Sequence, residues 1–182
     1  MVKPGDELLD SEGGKIIFRE TAASSNGELL EMEAVYPANS DLPPDHYHPH
    51  QEERFQILEG SIRAIIGGQE NLYQPGQEFT VPPGTAHAMH NVSSEEGRVI
   101  WQTRPAMKTE FFHETIRKLS QEGELSVERK PSMLQLAVIF REYRDEFRLK
   151  KPPYLIQAIL WGILAPIGRM KGYKSRYPNG SG

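Results

Sequence analysis

Five of the six histidines fall close together in the chain: His46, His48, His50, His87 and His90, with His113 further on. His46 and His48 are two residues apart, so on an extended strand both side chains leave the same face. Glu53 follows five residues after His48 and leads a run in which Phe55 and Ile57 share its face. His87 comes just after the turn signal Pro82-Pro83-Gly84. Three imidazoles and one carboxylate, if they converge, suit Fe, Mn, Ni, Co, Cu or Zn better than the oxygen-seeking Ca or Mg. The competing reading is a surface cluster in a loop rich in Pro, Asp and Glu, and a His-x-His pair alone does not decide between them. The chain has 0 Cys, which excludes disulfides, thiolate ligands and cysteine nucleophiles.

The residues around this cluster read as short strands. Runs at 15–20, 29–36, 53–58, 61–66, 70–73, 78–81, 87–92 and 98–103 are separated by turn signals. Gly67-Gly68 suits a two-residue hairpin, and Pro75-Gly76 and Pro82-Pro83-Gly84 punctuate further on. Many short strands without intervening helical patterns indicate an antiparallel sandwich or barrel. After Pro105 the period changes. Phe112, Ile116 and Leu119 are spaced as on one helix face, with Gly123 as a stop. Ser132 and Gln135 have capping-box spacing. Leu136, Phe140, Tyr143 and Phe147 then predict a helix that Pro152-Pro153 ends. A third helix is expected from Tyr154 to about Leu164, with Pro166 kinking or ending it.

Charge divides the chain in the same place. Residues 1–104 carry 7 Lys/Arg against 17 Asp/Glu, a net of −10, and residues 105–182 carry 14 against 8, a net of +6. The acidic first part argues against a nucleic-acid partner. The basic second part is expected to dock on the acidic part rather than on a membrane, and membrane contact is not expected. The longest apolar stretch, 154–167, is 14 residues, short of the ~20 that span a bilayer. It is apolar nearly all round, so it is expected to be buried against the barrel or a subunit interface, or to act as a lid over the barrel mouth. No apolar leader segment is seen over 1–10, and a cytoplasmic protein is expected.

The motif spacing resembles the cupin superfamily. His46-Tyr47-His48, Glu53 and Gly60 match the first cupin motif; Gly76, Pro82, Gly84, His87 and Asn91 match the second. Fifteen residues lie between the two motifs, and Ser40 stands where the pattern has a glycine, a turn position remote from ligand chemistry. The resemblance covers residues 15–104. It implies an all-β, double-stranded β-helix (jelly-roll) barrel over 1–104, followed by a helical C-terminal extension over 105–182 packed on the barrel or at a dimer interface. By position, it makes His46, His48, Glu53 and His87 the ligands of one divalent transition metal per chain (Fe, Mn, Ni, Cu or Zn). Gly60, Gly76, Pro82, Gly84 and Asn91 are then structural, and His50 and His90 fall outside the ligand set. The resemblance also implies a homodimer.

Four protein ligands on a six-coordinate metal leave two open positions for water, dioxygen or a chelating molecule. The expected function is a mononuclear metal-dependent, oxygenase-like enzyme acting on a small oxygenated molecule. The alternative is a non-catalytic barrel that binds or senses a small ligand. An open polar cavity favours the first and a dry one the second. No general acid or base is assigned: Glu31 and Glu33 share a strand face expected to be solvent-facing, and of Trp101 and Gln102 one must face inward.

Overall fold

The computed structural model describes residues 2–124 and 132–178. Eleven strands and three helices are formed there. The strands are β1 (Glu7–Leu9), β2 (Lys15–Glu20), β3 (Leu30–Tyr36), β4 (His46–Tyr47), β5 (Glu52–Glu59), β6 (Ile62–Ile66), β7 (Gln69–Tyr73), β8 (Glu78–Val81), β9 (His87–Asn91), β10 (Gly97–Arg104) and β11 (Arg148–Leu149). The helices are α1 (Thr109–Gln121), α2 (Met133–Glu142) and α3 (Tyr154–Met170). Two antiparallel sheets result, in the orders β1-β2-β3-β10-β5-β8 and β11-β4-β9-β6-β7. Neither closes on itself.

Alternation along the strands builds the core between the sheets. Phe55 and Ile57 of β5, Phe79 and Val81 of β8 and Val99 of β10 meet Ile62 and Ala64 of β6 and Met89 of β9. A second cluster of Leu8, Ile16, Phe18, Leu30 and Met32 fills the β1–β3 end. Ile66 pairs with Gln69, so Gly67-Gly68 alone makes the turn between β6 and β7. Both take positive φ (60° and 88°), which a two-residue hairpin that matches strand twist requires.

Asn91 is fully buried at the end of β9. Its Nδ2 donates to the Pro37 and Glu95 carbonyls, and its Oδ1 accepts from the Ser61 and Ser93 amides and the Ser93 hydroxyl. One side chain thus satisfies three loops. Asn91→Ala leaves those buried groups without partners and is expected to cost about 2–4 kcal/mol, read from the urea midpoint.

The outer face of β3 is as the alternation predicts, yet less exposed. Glu33 is buried there between Arg19 and Arg98, whose guanidiniums donate to its two carboxylate oxygens, and the Arg19 hydrogen bond chiefly holds its carboxyl below the usual range. Glu31 accepts from Gln102 Nε2 at 2.6 Å.

The helical part departs from the sequence reading in three ways. First, α2 stops at Glu142 instead of running to Pro152-Pro153. Turns follow, and Arg148–Leu149 then joins the edge of the second sheet beside β4. Second, Pro166 lies inside α3, which continues to Met170. Proline has no N–H to offer the Gly162 carbonyl, four residues back. Arg141 Nη1 of α2 donates to that carbonyl at 2.9 Å instead, so no acceptor is stranded and the helix continues. Third, α3 packs on α2 through Trp161 and Ala165, against Ala137 and Val138. Its opposite face is exposed. Ser132 caps α2 by accepting from the Gln135 amide, but the reciprocal half of the capping box does not form, because the Gln135 side chain bonds the Lys174 carbonyl and the Tyr177 hydroxyl.

Candidate metal centre

Pairing register brings the histidines together. β4 and β9 are neighbours, with His46 directly opposite His87 and their ring centroids 4.5 Å apart. His48 follows β4, where its carbonyl accepts from the Gly84 amide at 2.8 Å, tying the His-x-His segment to the turn before β9. Glu53 comes from the other sheet. In β5 it lies between Thr103 of β10 and Val81 of β8, faces the core and is fully buried.

Each imidazole is oriented through its Nδ1. That of His46 is 3.0 Å from the Pro44 carbonyl, that of His48 is 2.6 Å from the Glu146 carbonyl and that of His87 is 3.2 Å from the Thr85 carbonyl. Donation to a carbonyl leaves Nε2 as the lone-pair nitrogen, the tautomer a metal requires. One ring nitrogen from each of the three residues lies within 4.8 Å of the others, and this cluster can hold a metal ion.

The Glu53 carboxylate closes the group. Its Oε2 is 3.2 Å from His48 Nε2 and 2.9 Å from His87 Nε2, and its Oε1 accepts from Trp101 Nε1 at 2.9 Å. Burial raises the Glu53 pKa, but the His48 and His87 rings outweigh it and keep the carboxyl well below its usual range. Burial likewise lowers His48, and the Glu53 charge more than reverses this. His46, without a carboxylate contact, is driven down to about 3 by burial and by the His87 and His48 rings. His48 Nε2 and Glu53 Oε2 are buried and lack a well-formed hydrogen bond. Buried polar atoms of this kind are normally satisfied, and a cation between the rings and the carboxylate satisfies both. The donor set therefore fits a transition metal.

His50 is exposed, and His90 is turned to the Ser40 carbonyl at 2.8 Å; both stand apart from the cluster. Trp101, rather than Gln102, faces inward. Beside the cluster lies a cavity of about 360 Å³, walled largely by apolar side chains from both sheets, among them Phe55, Met89 and Trp101. The helical segment supplies the rest of the wall. Phe112, His113, Ile116 and Arg117 come from α1, Phe140 from α2, and Phe147 and Leu149 from the β11 region. Phe147 stacks on His46 at 4.7 Å. The covering role considered for α3 thus belongs to α1, α2 and β11.

His113 is the site residue that sequence reasoning passed over. It packs edge-on against Trp101 at 4.8 Å, and its Nε2 is buried with no partner among the described residues. Burial, then the Arg117 charge, pushes its pKa down to about 3, so it is neutral at ordinary pH. The only signal in the sequence is its place next to Phe112 on the apolar face of α1.

Two facing antiparallel sheets with a histidine cluster beside a cavity define a β-sandwich with a candidate metal site. Residues 32–103 match the family model described as Cupin domain, and this segment belongs to the cupin superfamily. Curated relatives include "Polyketide synthase CurC" of Streptomyces cyaneus, 30% identical over 61 residues, which are 34% of this chain and 40% of that protein. Another is "Tetracenomycin polyketide synthase protein TcmJ" of Streptomyces glaucescens, 24% identical over 99 residues, 54% of this chain and 64% of the other. The chain thus spans less than two thirds of either relative. Among solved structures, an RmlC-like cupin from Shewanella frigidimarina aligns at a TM-score of 0.48 and 21% identity, over 56% of this chain and 86% of that one.

Proposed function

We propose that the protein is a mononuclear metal-dependent cupin enzyme, oxygenase-like, acting on a small molecule with an apolar body and an oxygen-bearing end. The two open sheets are read as the halves of a jelly-roll double-stranded β-helix, with residues 1–104 as the cupin domain and 105–182 as an extension that completes its cavity. One observation carries the reading: His46, His48, His87 and Glu53 converge beside a cavity of about 360 Å³, with two buried donor atoms otherwise unsatisfied. These four residues would hold one Fe, Mn, Ni, Cu or Zn ion. When bound, such an ion supplies a Lewis acid and, if redox-active, a means of handling dioxygen. Phe55, Trp101, Phe112 and Phe147 exclude water and favour a flat or apolar ligand body. His113, neutral and unpartnered, is the side chain that hydrogen-bonds the ligand's polar end. The polyketide names of two curated relatives agree with a bulky oxygenated ligand.

Protein loaded with iron(II) and offered small catechols and 1,3-diketones in an oxygen electrode is expected to consume dioxygen only with a substrate present, and His87→Ala is expected to abolish this. The largely apolar wall also favours the non-catalytic binding barrel. Saturable binding of the same probes without oxygen uptake, with any of the metals, supports that second reading.

The Trp101 indole tests the assignment of Glu53. Trp101→Phe keeps the ring and removes the N–H that orients the carboxylate. Loss of a group that positions a ligand weakens metal binding by about 10–100-fold. A chromophoric chelator competing for the ion is expected to read a change of that size.

A further inference from the structure

The outer face of α3 is unlike the rest of the surface. Leu155, Ile159, Ile163 and Met170 are 72%, 58%, 61% and 88% exposed, with Ile156 and Ile167 beside them. Only Gln157, Trp161, Ala165 and Gly168 are buried, in a narrow seam of which Trp161 and Ala165 pack on α2. From Leu155 to Gly168 the one hydrogen-bonding side chain besides Trp161 is Gln157. Its Nε2 is spent on the Leu149 and Pro152 carbonyls. The exposed face therefore offers water no polar side chain over four turns, whereas a helix bordering water is normally polar there.

Charge says what covers it. From Phe147 to the end of the chain there are seven Lys/Arg and no Asp/Glu. Lys151 precedes the helix, and Lys171 and Lys174 follow it; all three are exposed, with no ion pair among the described residues. A second copy of this helix is a poor partner. Both its ends are basic, so parallel and antiparallel pairings alike bring cations together. An anionic lipid surface accepts the apolar face and both ends at once. At 17 residues α3 is no membrane span, but a helix of this kind lies in the plane of the interface.

We propose that α3 docks the protein on anionic lipid bilayers, with Leu155, Ile159, Ile163 and Met170 among the acyl chains and Lys151, Lys171 and Lys174 at the headgroups. This revises the expectation that the basic segment docks on the acidic strands. Of the cations from Arg148 onward only Lys150 makes an ion pair with a residue of the strand region among the described residues, Asp45 at 2.7 Å. The proposal is independent of the metal reading.

Flotation of the full chain with phosphatidylcholine vesicles containing about 30% phosphatidylglycerol tests it. The protein is expected to float with these vesicles and to partition about tenfold less onto pure phosphatidylcholine or in about 0.5 M NaCl. Ile159→Glu/Ile163→Glu alters only exposed positions and is expected to reduce partitioning at least about tenfold. Lys151→Glu/Lys171→Glu, outside the helix, is expected to do so on anionic vesicles alone. Wild-type protein that stays with the buffer, or a variant of either kind that floats as well as wild type, overturns the proposal. So does a dimer in sedimentation equilibrium that Ile159→Glu/Ile163→Glu dissolves while vesicles capture nothing.

Discussion

Replacing His48 by alanine is expected to weaken transition-metal binding by at least about 100-fold while leaving the fold in place. The lower bound follows from the smaller loss when only a group behind a ligand is removed, about 10–100-fold. The fold survives because Glu53, the buried charge most exposed to the change, keeps the Trp101 N–H at 2.9 Å. A second variant separates metal loss from misfolding. His46 has no hydrogen bond or ion pair with Glu53 and is held by the Pro44 carbonyl, so His46→Gln removes a proposed ligand without removing a partner of the buried charge. Both variants are expected to give wild-type circular dichroism and to lose the metal in a chelator competition. Retention of wild-type affinity by both would place the ion elsewhere.

The largest expected effect on stability is at Phe55. This side chain is 1% exposed at the centre of β5, with the Phe79 ring 4.9 Å away and the Trp101 ring 5.6 Å away, and it also walls the cavity. Phe55→Ala removes a ring that bridges the two strands flanking β5. A change of this type costs about 3–5 kcal/mol, a large share of a total that is about 5–15 kcal/mol for a domain. Thermal unfolding is expected to shift down by about 10 °C or more. An ion added in excess is expected to recover part of the loss, because binding to the native state alone raises stability by mass action.

Local patterns carried the strand region and the residues that cluster at the candidate site. The hairpin at Gly67-Gly68, the alternation of Glu53, Phe55 and Ile57, and the turn before His87 are contacts between near neighbours, and sequence spacing reports them directly. What spacing does not report is which distant segments pair. Leu149 opposite His46 is such a contact, made by a strand of two residues, too short to show a period. The helix reading over 136–147 placed Phe147 on a helix face. The residue in fact leaves the helix to stack on His46. Pro166 was legible as a breaker but its rescue by Arg141 was not, because that bond joins two helices. His113 escaped for the same reason, since only the packing of α1 across the cavity brings it beside Trp101. The site is thus half strand and half helix, and only the strand half carries a motif.

Elemental analysis of protein purified without a histidine tag or added metal is the most direct test of the metal centre. Near one Fe, Mn, Ni, Cu or Zn per chain, absent from the His48→Ala protein prepared beside it, is the predicted result. No bound transition metal in the wild type, even after reconstitution with each of these ions, would contradict it.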